Sequence, residues 1–239
     1  MMRHWAFLLA LPLAASTIRI IQTNSAGDSV HIIDPATDKV VGEIAGIEVN
    51  HGVAAAPDGS RYYVSDEAEN TLDVVDVKTL KVTRRIPLSG RPNNIAISRD
   101  GARVYVSIIQ PPGAVDVIDT VSLERIKSLP MKGGVHNTYV TPDGRFVVAG
   151  SIAGKILTVV DQRTEKPVWE LAFDNGVRPI AFTPRAISWT EHPKGPQPTR
   201  PGAWLTRPVG KSARRHPIFM RQGGPVAHVR LCLPGTRPN

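Results

Sequence analysis

Landmarks in this chain return every 42 or 43 residues, and a chain with that period must build one small unit several times over. Asp-Gly pairs stand at Asp58, Asp100 and Asp143. A Val-Asp or Ile-Asp pair ends at Asp34, Asp76, Asp119 and Asp161. The clearest copy runs from His51 to Gly90 and holds four short apolar runs, Gly52 to Pro57, Arg61 to Asp66, Thr71 to Asp76 and Lys81 to Leu88. Turn residues separate them: Pro57-Asp58-Gly59, Glu69-Asn70 and Asp76 to Thr79. Short runs rich in Val, Tyr and Thr between such turns predict a four-stranded antiparallel meander. A four-stranded unit of about forty residues is the mark of a β-propeller blade.

The second strands carry a family likeness. Tyr63-Val64-Ser65-Asp66, Tyr105-Val106-Ser107 and Ile21-Gln22-Thr23-Asn24 resemble the tetrad of the YVTN-repeat β-propellers. Asn70-Thr71-Leu72-Asp73-Val74-Val75-Asp76 resembles that family's third strand. The resemblance spans Ile18 to Pro184, about 70% of the 239 residues. It implies an all-β fold of four-stranded blades. YVTN propellers are similar in turn to the haem-binding propeller of dissimilatory nitrite reductase and to the lactonase propellers. A fold of this kind hosts many activities, so function must be argued from a site.

In order along the chain, an incomplete unit comes first. Arg19 to Asn24, Val30 to Asp34 and Lys39 to Ile44 match the second, third and fourth strands, with no first strand before them. Three full blades follow, at His51 to Leu88, Asn93 to Pro130 and His136 to Phe173. A further unit opens at Arg178 to Pro184, where Arg185-Ala186 replaces the expected Asp-Gly. Two arrangements fit this count: a closed four-blade ring with Arg178 to Pro184 filling the first unit, or an open arc of a larger ring. The open arc is favoured, because blades shaped for about seven do not meet around four.

Register is lost after Pro184. Residues 185–239 hold nine prolines and ten Lys or Arg against one acidic residue, Glu191. An abrupt break in mid-motif is what a shifted reading frame or a fused foreign end produces, and the composition predicts a disordered tail. The formal charge of +8 comes from this tail. Residues 1–184 carry 19 basic and 20 acidic side chains, so no nucleic-acid partner is expected. Residues 1–16 read as a secretory leader, cleaved after Ala15 or Ser16. Its apolar run is too short to span a bilayer. The expected domains are thus a leader at 1–16, propeller blades at 17–184 and a basic tail at 185–239, in a periplasmic or secreted protein. One cysteine, Cys232, excludes an internal disulfide.

The repeating aspartates are expected to be turn residues, since repetition argues against catalysis. Asp58, Asp100 and Asp143 suit the first hairpin, and Asp34, Asp76, Asp119 and Asp161 suit the third. Tyr62, Tyr63, Tyr105 and Trp169 are read as packing between blades. Alignment on Asp-Gly places His51, Asn93, His136 and Arg178 in equivalent positions just before the innermost strand, at the mouth of the central channel. Gly52, Asn94, Asn137 and Pro179 come next. Two imidazoles, an amide and a guanidinium there suit a small anionic ligand, or the histidines a metal. The plainer alternative is that each ties neighbouring blades through loop hydrogen bonds.

No catalytic residue is assigned. The chain has no Cys-x-x-Cys-His for covalent haem, no zinc spacing, no Gly-x-Ser-x-Gly and no phosphate loop. No cofactor is named by the sequence. The first expectation is therefore a non-enzymatic exported propeller that scaffolds a protein partner or binds a small anion. The alternative, implied by the resemblance, is a periplasmic redox or hydrolytic propeller, haem-binding or lactonase-like. In it His51, His136 and Arg178 would be analogues in kind of those families' channel residues.

Overall fold

A computed structural model of the chain describes residues 18–183 and the three strands at 186–192, 219–221 and 227–230. The predicted leader and the rest of the tail lie outside them. Among the described residues all regular structure is β, arranged in five antiparallel sheets. The first holds β1 (Ile20–Thr23), β2 (Ser29–Asp34) and β3 (Lys39–Ala45). The second holds β4 (Asn50–Ala55), β5 (Arg61–Asp66), β6 (Thr71–Asp76) and β7 (Lys81–Pro87). The third holds β8 (Pro92–Ile97), β9 (Arg103–Ile108), β10 (Ala114–Asp119) and β11 (Glu124–Pro130). The fourth holds β12 (Val135–Val140), β13 (Phe146–Ser151), β14 (Ile156–Asp161) and β15 (Lys166–Ala172). These three are meanders in chain order, as the repeat predicts. The fold is a partial β-propeller.

The fifth sheet departs from that pattern. It contains β16 (Gly176–Thr183), β17 (Ala186–His192), β18 (Phe219–Arg221) and β19 (Ala227–Arg230), in the order β16-β17-β19-β18. Thus β17, β18 and β19 come from the segment expected to be disordered or poorly packed. The same pairing decides between the two arrangements weighed from sequence. Strand β16 pairs with β17, and β1 pairs with β2 alone among the described strands, so β16 does not complete the first sheet.

Burial explains the residue pattern. The middle strands are covered on both faces by neighbouring blades, so they read as almost unbroken apolar runs. Successive residues point to opposite faces: Tyr62 packs with Val30, Ile32 and Ile44 of the preceding sheet, and Tyr63 with Ile95 and Val106 of the following one. Tyr105 does the same one blade on, against Val135 and Val147. Trp169 packs beside Phe146, Val148 and Val177. Each buried Val, Ile or Leu side chain contributes about 1.5–3 kcal/mol, so these inter-blade layers are the main source of stability.

The aspartates act as turn residues. Asp58 accepts from the backbone N–H of Ser60 at 2.9 Å, and Gly59 takes φ +71°. Asp76 accepts from Thr79 N at 2.8 Å and from its hydroxyl at 2.9 Å, while Leu80 closes the turn at φ +55°. Asp119 and Asp161 repeat that arrangement with Ser122 and Thr164. On the outer strands of the first four sheets the ladder slips once each, leaving Val41, Thr83, Ile126 and Val168 as bulged residues. These bulges bend each outermost strand at the place where it meets solvent.

Candidate functional site

The four aligned residues lie where the first strands β4, β8, β12 and β16 begin. Each of these strands breaks register there. The ladder slips between Asn50 and Val53, between Pro92 and Ile95, between Val135 and Asn137, and between Arg178 and Ile180. A bulge inserts residues without ladder partners and re-aims their side chains. The sequence landmarks thus coincide with a real irregularity in every blade.

Hydroxyls at one repeat position bind the blades together at this level. Thr23 donates to the His51 carbonyl at 3.0 Å, Ser65 to the Asn93 carbonyl at 2.6 Å, and Ser107 to the His136 carbonyl at 3.2 Å. The equivalent residue in the fourth sheet is Gly150, which has no hydroxyl to offer Arg178. At the first three junctions, blade tying is therefore a task of the main-chain carbonyls. Asn94 adds a side-chain tie, its Oδ1 accepting from Thr138 N at 3.1 Å. Asn93 itself is 3% exposed, so it is far less open to a ligand than the half-buried histidines.

The structure brings His136 and Arg178 into direct contact. Arg178 Nη2 donates to His136 Nε2. His136 Nδ1 donates in turn to Asn137 Oδ1 at 3.0 Å, and Asn137 Nδ2 donates to the Tyr139 hydroxyl at 3.3 Å. Burial, then the adjacent Arg178 charge, pushes the His136 imidazole down to about 4. His51 lies near enough to add to that effect. The ring is thus neutral at physiological pH, with its acceptor nitrogen engaged by a guanidinium. Arg178 Nε is buried and has no hydrogen-bond partner among the described residues. A buried guanidinium nitrogen left unpaired is costly, and an incoming acceptor would satisfy it.

Three further residues at this site escape the repeat-based reading. Glu67, in the turn after β5, places a carboxylate oxygen 3.1 Å from His51 Nδ1 and the other 3.5 Å from Arg91 Nε. The Val49 carbonyl also lies 3.1 Å from His51 Nδ1. Glu67 has Ser25, Ile109 and Ile152 at the corresponding positions of the other blades. A charged residue that occurs once where repetition rules was the available signal.

The donor set fits an acidic organic ligand better than a bare metal ion. Among the described residues no group of three or more His, Cys, Asp or Glu comes together to hold a metal. A cation with an unsatisfied donor, beside the neutral His136 ring, suits a ligand bearing carboxylates. A groove of about 360 Å³ beside Ser89 and Pro111 is a poorer candidate: none of the four residues lines it, and no charged side chain does.

Comparison with known proteins follows the same line. The chain is similar to Kuenenia stuttgartiensis hydrazine synthase, with 28% identity and a TM-score of 0.68 over 76% of this chain and 55% of that one. It is also similar to the dihydro-heme d1 dehydrogenase NirN, solved in complex with DHE. There the identity is 20% and the TM-score 0.61, over 77% of this chain and 43% of that one, a likeness of fold. The chain spans about half the length of these two structures. No curated protein matches it significantly. The Cytochrome D1 heme domain family model matches residues 19–194. These findings favour the haem-binding redox alternative over the non-enzymatic scaffold, and they reach the haem-domain side of the sequence resemblance without extending to the YVTN repeat. The chain belongs to the Cytochrome D1 heme domain family.

Proposed function

We propose that this chain binds a haem d1-type tetrapyrrole at the channel mouth and serves a redox protein of the periplasm. The observation that carries the reading is the buried, unpaired Arg178 Nε beside a neutral His136, in a chain of the haem-domain family. The macrocycle would bring a redox-active iron to the site. Arg178 would pair with an acid group of the macrocycle through its planar fork. His136, held by Asn137, would line the same edge without adding a second positive charge. His51 would approach from the blade two positions earlier. Export by the leader at residues 1–16 belongs to this proposal.

Isolated haem d1, titrated into the full chain and followed by visible absorption, tests it. Saturable binding is expected, and Arg178→Ala should weaken it about tenfold or more, the worth of one charge-assisted hydrogen bond. Absence of saturable binding by the wild-type chain would overturn the reading. If His136→Ala and Arg178→Ala both left binding unchanged, the channel mouth would not be the binding site.

A further inference from the structure

His51 and His136 occupy equivalent places in their blades, yet their neighbours make them chemically different. His51 Nδ1 faces two groups, the Val49 carbonyl and the Glu67 carboxylate, each 3.1 Å away. A carbonyl and an ionised carboxylate can only accept, so in the neutral ring the proton sits on Nδ1. Nε2 then carries a bare lone pair, and no described residue bonds to it. In His136 the corresponding Nε2 is already taken by Arg178.

The surroundings of His51 are built to keep this arrangement. The Glu67 side chain is 16% exposed and is held from the other side by Arg91 Nε at 3.5 Å. Its turn is anchored by Glu69 N, which donates to the buried Asp66 at 2.9 Å. Val49 has φ +48°, a left-handed conformation that a β-branched side chain resists. Strained backbone of this kind gathers at binding sites, and here it belongs to the residue whose carbonyl meets the same ring nitrogen. Outer carboxylates that fix a histidine's tautomer and orientation are a general device for presenting the opposite nitrogen to a ligand.

We propose that Glu67 is a positioning residue, which holds His51 in the tautomer whose Nε2 is free to accept a hydrogen bond or a proton from the group bound at the mouth. The proposal rests on the tetrapyrrole reading and divides labour within it. Arg178 takes the acid group, His136 stays occupied as its partner, and His51 is the open acceptor. Arg91 holds the carboxylate in place from the solvent side.

The test begins with the full chain free of tetrapyrrole, at mildly alkaline pH where imidazole rings are neutral, with histidine ring nitrogens read by nitrogen-15 NMR and His51→Ala used to assign the signal. Wild-type His51 is expected to show a protonated Nδ1 and an unprotonated Nε2. Glu67→Met, similar in size but with no acceptor oxygen, should give a mixture of tautomers, and Glu67→Gln should restore the wild-type pattern. Haem d1 affinity, measured separately, should fall about tenfold in Glu67→Met and recover in Glu67→Gln. A wild-type His51 protonated on Nε2 overturns the proposal without need of any variant. So does a Glu67→Met chain with an unchanged tautomer, because Val49 would then suffice alone. The tautomer is read without haem d1, so a chain that shows the expected shift and binds no haem d1 overturns the proposed function instead.

Discussion

The Ser65 hydroxyl donates to the Asn93 carbonyl at 2.6 Å and accepts from the Gly52 N–H at 2.8 Å. One buried side chain therefore joins the second strand of one blade to the first strands of its own blade and the next. Without it, Gly52 N and Asn93 O lose their side-chain partner in an interior that water does not reach. Ser65→Ala should cost about 1–3 kcal/mol. Urea unfolding checks it, with Ser60→Ala in the exposed hairpin expected to stay within about 0.5–1 kcal/mol of wild type.

Gly52 allows the close approach that this bond needs. A Cβ there would sit 2.7 Å from Ile95 N and 2.9 Å from Asn93 O, both backbone atoms that cannot swing aside. Gly52→Ala should destabilise by about 1–3 kcal/mol or more through overpacking. Gly27→Ala is the control, since its Cβ would meet nothing nearer than Asn24 O at 3.7 Å. Equal unfolding midpoints for the two variants would refute the packing argument.

Acid should weaken the fold in two stages. The His136 imidazole is held at about 4, below its usual value near 6.5. Above about 6.5 it is neutral in both states and its contribution is complete. As pH falls from there toward 4, the unfolded chain takes up a proton that the folded chain refuses, so stability declines. As pH falls through the usual carboxylate range a second decline begins, because the unfolded chain protonates there first. Turn hydrogen bonds hold Asp58, Asp76, Asp100, Asp119 and Asp161 low, chiefly from Ser60, Thr79, Ser98, Ser122 and Thr164 in turn. His136→Asn should remove the first decline and leave the second. Urea midpoints measured across the range would show it.

At the mouth, charge and shape can be separated. Arg178→Lys keeps the charge and loses the planar fork, so haem d1 binding should fall by less than in Arg178→Ala yet remain below wild type. Added salt should weaken the wild-type complex more than that of Arg178→Ala, as expected where one partner charge has been removed. The same salt dependence in both chains would place the acid group of the ligand elsewhere.

What could be read beforehand follows from how the information is stored. The blades, the missing first strand and the turn aspartates repeat in sequence, so Asp58 and Asp143 announce each other. The equivalence of His51, Asn93, His136 and Arg178 is legible for the same reason. Their differences are not, because each depends on residues from other elements. His51 is set apart by Glu67 and Arg91, two loops away, and His136 by Arg178 from the next sheet. The bulges that re-aim these side chains arise from strand pairing, which no local pattern encodes. The order of β18 and β19 was equally hidden, since it depends on which strand reaches β17.

The slipped residues on the outermost strands, Val41, Thr83, Ile126 and Val168, have a meaning beyond geometry. A straight rim would offer rows of free amides and carbonyls to the next molecule and invite growth into fibrils. With one kink in each of these four sheets, the rim presents a broken template. Crowded copies of this protein should slide past one another at their perimeters, leaving recognition to the inner ends of the sheets.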